Sequence, residues 1–505
     1  MKRQRISAVD TAWLRMDSPG NLMMICGVLF FRTRIDIGRL REVIARRFLV
    51  FPRFRQRPVE TVAVSFWEAD AAVDLEGHVV GVALPGRAGP RELQALVSKL
   101  MSTPLDPVRP RWQFHLVENY AGGSAIVMRI HHCYADGIAL VRVMLSMTDA
   151  GADGPPAMPF APRAKRSADD DPLATLLAPV SGALALARRV GTALIDEGAA
   201  LWQDPEKAAV LAERGGEFAV EIARLALMAQ DTPTRFKGVP GGAKRVAWAA
   251  PLPLDEVKTV GRALGASVND MLLACAAGAL RAYLRAKGDV TTDVMIRALV
   301  PVNLRPAEQA WRLGNRFGLV FLELPVGVEN PIERLYAVRA HMNALKGSQQ
   351  PILALGLLAA MGAGPRILQE ALLAALARNA SAVMTNVPGP KEPLYLAGSR
   401  IDSLMFWVPQ AGDIGMGVSI LSYDGRVQFG VATDRKLCPD PARITEGFGE
   451  QFEQLVLTTL MSPWPRDGDL DPAVAARAVT ARAATITRAR PSRASRRASP
   501  SHPRA

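Results

Sequence analysis

Cysteine is scarce in this 505-residue sequence: the four present, Cys26, Cys133, Cys275 and Cys438, stand singly, without CxxC spacing or a short secreted frame. That excludes a disulfide scaffold and points to a reduced, cytoplasmic protein. Apolar runs are short as well. The longest, Ile352–Gly364, would reach only about 20 Å as a helix against the roughly 30 Å of a bilayer core, so it cannot span a membrane. It suits a buried core helix or the lining of a greasy channel. The opening MKRQRISAVDTAWLRMD is interrupted by Asp10, Arg15 and Asp17, so no export signal is expected. Three enzyme signatures are missing: a GxSxG nucleophile elbow, a GxxxxGK[ST] phosphate loop and an HExxH helix. Single-step chemistry driven by a base is therefore favoured over a serine acyl-enzyme.

What is present is a globular composition, 49% hydrophobic and 22% charged. The length suggests two domains of roughly 200 residues each plus connections. The formal charge of +13 would suggest an anionic partner, but eight of the 61 basic residues and none of the 48 acidic ones lie from Arg477 onward. The remaining body is only mildly basic, at about +5 by the same count, and no nucleic-acid partner is expected.

Residues 1–150 read as a first α/β unit. Leu22–Phe31 and Ser124–His131 are apolar strands, and Ile37–Phe48, Arg91–Met101 and Gly137–Met147 have helical spacing. Residues 151–243 begin with a Gly-, Pro- and charge-rich linker and continue as bridging helices over Leu173–Ala229. A second α/β unit over 244–464 opens on the strand KRVAWAA and continues with a helix over Asn269–Ala286 and strands at Met295–Val300 and Phe317–Leu324. A helix then starts at Asn330-Pro331. Asp424-Gly425 supplies a tight hairpin turn between Gly415–Ser422 and Arg426–Thr433. Residues 465–505 hold almost no large apolar side chain and read as a disordered basic tail, either simply solvated or holding anionic lipid headgroups or polyanions.

The sharpest local feature is His131-His132-Cys133-Tyr134-Ala135-Asp136-Gly137, which holds two of the six histidines at the junction of an apolar strand and an apolar helix. Successive residues of an extended chain face opposite sides, so one histidine can meet a cavity while the other anchors. Imidazole is suited to taking a hydroxyl proton, because much of it is neutral at working pH. Asp136 reads equally as the orienter of that ring or as a helix N-cap ahead of Gly137. A metal site on His132 and Asp136 lacks a visible third ligand. Ser267-x-x-Asp270 before an apolar helix reads as a capping box, with Asp where Glu is usual.

HHxxxDG between two α/β units resembles the superfamily of chloramphenicol acetyltransferases, carnitine acyltransferases and peptide-synthetase condensation domains. An ordered series of further motifs, from Ile6 to about Leu460, resembles the bacterial wax ester synthase/diacylglycerol acyltransferase family more closely. It runs ISAVDTAWL, PVRPRWQFHLVE, SVNDMLLA, PVNLRP, GNRFG, TNVPGP, LYLAG and SYDGRVQFGVATD. The resemblance implies two chloramphenicol-acetyltransferase-like lobes of mixed sheet flanked by helices. It implies an acyl-CoA co-substrate with no bound cofactor, and diacylglycerol or a long-chain alcohol as acceptor. His132 is implied as general base. His131, Asp136 and Gly137 complete the motif, with Asp136 held by an arginine, for which Arg305 is the candidate. Asn269 and Asp270 are implied to be near the site, and Asn269 or backbone donors could stabilise an oxyanion. Asn386–Pro390 reads as a crossover fixing the two lobes in preference to a contact with the reacting atoms. Three departures stand out: Arg111 replaces a leucine, Met24 falls where histidine is common, and Cys133-Tyr134-Ala135 is bulkier than usual, which bears on acceptor size. Peripheral contact with a membrane or lipid inclusion fits such substrates. A catalytically silent lipid-surface protein, or the same chemistry on another hydroxylated acceptor, remains open at this point.

Overall fold

The computed structural model describes residues 3–61, 64–70, 72–154, 228, 230–305, 313–346, 350–363 and 366–461. Apart from Met228, the bridging helices expected over 173–229 lie outside the described residues, as do the linker beyond Gly154 and the tail from 465.

Helix α1 (Ala8–Arg15) starts at Ser7, whose hydroxyl accepts from the Asp10 N–H. Strand β1 (Met24–Phe31) is buried throughout, as its unbroken apolar text requires. Helix α2 (Ile37–Val43) is shorter than its periodicity suggested and widens into a π turn over Ile44–Phe48, which turns both Ile44 and Phe48 inward. Then follow β2 (Val79–Val82), α3 (Pro90–Met101), β3 (Trp112–Val117), β4 (Ser124–His131) and α4 (Gly137–Met147).

The second half runs β5 (Lys244–Trp248), α5 (Val268–Ala286), β6 (Ile296–Asn303), β7 (Phe317–Leu324), α6 (Pro331–Leu345), α7 (Gln350–Ala363) and α8 (Arg366–Arg378). It closes with β8 (Ala382–Pro388), β9 (Ser399–Trp407), β10 (Met416–Tyr423), β11 (Arg426–Asp434) and α9 (Ala442–Leu460). The hairpin between β10 and β11 turns through Asp424 and Gly425, at φ 47° and 71°.

Besides a small three-stranded sheet of Gln4–Arg5, Ser65–Ala69 and Gln56–Glu60, one large sheet has the order Tyr395–Leu396, β9, β1, β4, β3, β2, and the other has β7, β6, β8, β10, β11, β5, with Leu252–Pro253 also on β11. Both are mixed: β2 runs parallel to β3, and β8 runs parallel to both β6 and β10. Strand β9, from the second half of the chain, lies antiparallel on β1, from Trp407 against Cys26 to Ile401 against Phe31. The halves are therefore interlocked. A continuous buried cluster joins Trp13, Ile25 and Met128 to Leu299, Phe317, Leu358 and Val383 across this junction.

Candidate active site between the two sheets

β4 ends at His131, and Asp136 caps the helix that follows, accepting from the Ala139 N–H at 2.8 Å. The five residues between strand and helix are held from several sides. The His132 N–H donates to the Met23 carbonyl at 2.7 Å, and the Met23 N–H donates to Asp17 at 2.8 Å. From the second half, the Gly314 peptide is clamped between Tyr134 and Asp136: its N–H donates to the Tyr134 carbonyl at 3.2 Å. Its carbonyl accepts from the Arg305 guanidinium at 2.7 Å. Gly314 sits at φ 103°, a backbone state that favours glycine.

The two histidines divide as strand geometry dictates. His131 turns to Asp17, whose carboxylate lies 3.6 Å from Nε2, and burial holds its pKa below the ordinary imidazole value. His132 lines a cavity of about 1020 Å³ between the sheets. Its ring stacks on Trp13, with centroids 3.9 Å apart and planes at 16°, and Phe317 closes a further side at 5.7 Å. Burial, the dominant cause, pushes its pKa down to about 4, and the Asp136 charge opposes this only in part. Its own carbonyl and the Asn315 side chain lie near the ring, yet Nδ1 is buried without a partner of hydrogen-bonding geometry.

The Asn315 side chain pins the His132 backbone, donating at 2.8 Å to the His132 carbonyl and at 2.8 Å to Asp10, which also accepts from the Asn315 N–H. Asp136 is paired with Arg305 at 2.5 Å and accepts from the Arg316 N–H at 2.9 Å. With one oxygen capping α4 and the other spent on these partners, it holds the turn together and does not touch the imidazole through a hydrogen bond.

Among the cavity-lining residues are His132, Asp136, Gly137, Trp13, Asn303, Phe317, Thr385 and Asn386; His131, Asn269, Asp270 and Arg305 are not. Asp270 completes a capping box with Ser267, the backbone bonds measuring 2.9 and 3.1 Å. Asn269 reaches the wall only through Asn386, whose amide donates to it. Cys133, Tyr134 and Ala135 are fully buried away from the cavity, and the Tyr134 hydroxyl donates to the Gln56 carbonyl at 2.6 Å. The unusual bulk of that triplet is thus absorbed by the first lobe's core and does not narrow the cavity. Trp13, Asp10, Asn315 and Asn303 escaped assignment from the sequence, although ISAVDTAWL, GNRFG and PVNLRP contain all four. Among the described residues, no group of three His, Cys, Asp or Glu side chains is arranged to hold a metal ion.

The wax ester synthase/diacylglycerol acyltransferase catalytic domain profile matches residues 6–272, and the WS/DGAT C-terminal domain profile matches residues 313–456. A Mycobacterium tuberculosis protein provisionally named a diacylglycerol O-acyltransferase is 30% identical over 496 residues, covering 91% of this chain and 92% of its own. A second from that organism, named in the same way, is 28% identical over 497 residues, covering 92% and 99%. Among solved structures, the wax ester synthase/diacylglycerol acyltransferase from Marinobacter aquaeolei VT8 superposes with a TM-score of 0.63 at 22% identity, covering 91% of this chain and 100% of that one. A doubly substituted mutant of the starter condensation domain of rhizomide synthetase RzmA, in complex with C8-CoA and Leu-SNAC, shares the fold at a TM-score of 0.52 and 14% identity, over 90% of this chain and 93% of that one. This chain belongs to the wax ester synthase/diacylglycerol acyltransferase family.

Proposed function

We propose that this protein transfers a long-chain acyl group from acyl-CoA to the hydroxyl of diacylglycerol or a long-chain alcohol, forming triacylglycerol or wax ester, with His132 as the base. The observation that carries this reading is a neutral imidazole in the wall of a large, mainly apolar cavity between the sheets. Because Nδ1 is buried, Nε2 is the nitrogen left to meet a hydroxyl. Nε2 takes the hydroxyl proton as the oxygen attacks the thioester carbonyl. The tetrahedral intermediate collapses with loss of the C–S bond, and the thiolate recovers the proton from the imidazolium, giving ester and free CoA. Positioned acid–base catalysis of this kind contributes roughly 10²–10⁴ in rate. Asn303 is our candidate for stabilising the oxyanion: its Oδ1 accepts from the Arg305 N–H at 3.0 Å, so its amide nitrogen remains the available donor.

Such acceptors partition into lipid, and the working place proposed for the protein is a cytoplasmic membrane face or lipid inclusion. Among the described residues no single helix is long and apolar enough to cross a membrane. The test is His132→Ala assayed with labelled acyl-CoA and each acceptor in turn. Ester formation should fall by about 10²-fold or more while lipid association and the thermal transition are kept. Ester formation equal to that of the parent would remove His132 from the mechanism, and turnover with amines only would remove the ester-forming reading.

A further inference from the structure

Beside the catalytic cavity lies a second hollow of about 80 Å³, walled by Ile25 and Gly27 of β1, Met128 of β4, Met144 of α4, and Leu404 and Met405 of β9. Of its lining side chains only Thr148 carries an oxygen or nitrogen, and that hydroxyl already donates to the Leu145 carbonyl at 2.9 Å. Water inside would find no partner, whereas a methylene group loses nothing there. The hollow shares a wall with the catalytic cavity, since seven residues line both, among them Gly137, Val141, Leu145, Gly389 and Phe406. Two of these shared residues, Gly137 and Gly389, are glycines and add no side chain to the partition.

Room exists at the far end because of Gly27. A Cβ there would lie 2.8 Å from Met128 Cε, so any side chain must fill the hollow or push the methionine aside. A glycine inside a fully buried strand weakens packing, and here it coincides with the floor of an apolar hollow.

We propose that this hollow receives the terminal methylenes of an unbranched hydrocarbon chain whose reacting end lies at His132, and that its depth sets the longest chain accepted. The inference rests on the acyl-transfer reading. The chain could belong to the acyl donor or to the alcohol, which have the same chemistry at this end, so the test varies them separately. Transfer of one methylene out of water is worth roughly fourfold in affinity, and a space of this size holds on the order of two or three of them.

The experiment measures kcat/KM across acyl-CoA chain lengths at one fixed alcohol, then across alcohol lengths at one fixed acyl-CoA. The proteins are the parent, Gly27→Ala, Met144→Trp and Met128→Ala. Filling by Gly27→Ala or Met144→Trp should lower the long-to-short ratio of kcat/KM at least tenfold in one of the two series. Met128→Ala, which deepens the hollow, should move that optimum to longer chains. The series that responds identifies whose chain occupies the hollow. Chain-length profiles unchanged in both series, in variants with parental thermal transitions, would overturn the inference. Should the filled variants not fold, an unchanged profile for Met128→Ala does so alone. Failure of the parent to form ester at any chain length would sink the acyl-transfer reading and this inference with it, whereas ester formation with unaltered profiles sinks only the latter.

Discussion

Trp13 does more for His132 than fill space. Stacked at 3.9 Å, it covers one face of the imidazole and keeps water off it, and desolvation is the main reason the ring stays neutral so far below its ordinary pKa. Activity needs the neutral form, so it should be lost only as pH falls through the folded value, near 4. Trp13→Ala exposes the ring, raises that value toward 6.5, and should move the acid limb of kcat/KM upward by a unit or more. Trp13→Phe keeps a stacked ring and should leave the limb near the parent's. A limb common to all three would deny Trp13 this role. The Arg305–Asp136 pair stands beside it with both side chains about 4–5% exposed. Arg305→Met strands a buried carboxylate and should cost roughly 3–5 kcal/mol in urea titration. Adding Asp136→Asn, which can still cap α4, should restore much of that. At this scale the sequence spoke through alternation. Two adjacent histidines at a strand's end had to face opposite ways, whereas no local pattern says that a tryptophan more than a hundred residues earlier covers one of them. The link from Asp136 to Arg305 came through the family resemblance alone.

Helix α1 brings Trp13 and Asp10 to the site, and it can do so because α7 lets it come close. A Cβ on Gly362 would sit on the Ala8 carbonyl oxygen, and Gln369 of α8 donates to the Ala12 carbonyl at 2.9 Å. Gly362→Ala should therefore push α1 outward, costing about 1–3 kcal/mol by overpacking. Because Trp13 and Asp10 move with the helix, kcat should fall more than KM rises. Gly449 in α9 has nothing within 4 Å of a built Cβ, so Gly449→Ala should instead gain up to about 1 kcal/mol and leave kcat alone. Equal effects of the two substitutions would refute the close-approach argument. Elements of this kind were mostly legible: the apolar text of β1 and β4, the Asn330-Pro331 start of α6 and the Asp424-Gly425 hairpin all appear where local chemistry put them. Sheet membership was not. Nothing in SRIDSLMFW says that β9 pairs with β1 near the chain's start, because that choice is made by long-range burial and not by periodicity.

Across the whole molecule, the exchanged strand and the shared buried cluster tie both halves into one core, so protonation of a few buried groups is felt by all of it. Four of the six histidines, His78, His115, His131 and His132, are buried with pKa values lowered, in each case chiefly by burial, and His115 and His132 reach about 4. In the unfolded chain they regain ordinary values near 6.5. Between about pH 6.5 and 4 the unfolded state therefore binds more protons than the folded one, and stability must fall as the solution is acidified. His115 and His132 each contribute up to roughly 1.4 kcal/mol per pH unit inside that window, and His78 and His131 act in the same direction below 6.5. Asp10 and Asp231, whose carboxyl values are raised by burial, act in the opposite sense, but only in the interval between 3.8 and their raised values. The urea midpoint should hold near neutrality and drop steeply from pH 6.5 toward 4.5. The drop should survive added salt, because desolvation is its cause and screening does not relieve it. A midpoint that stays level to pH 5, or a decline that high salt removes, would mean that these rings reach water in the folded state, and the account of His132 as a dry, neutral base would fall with them.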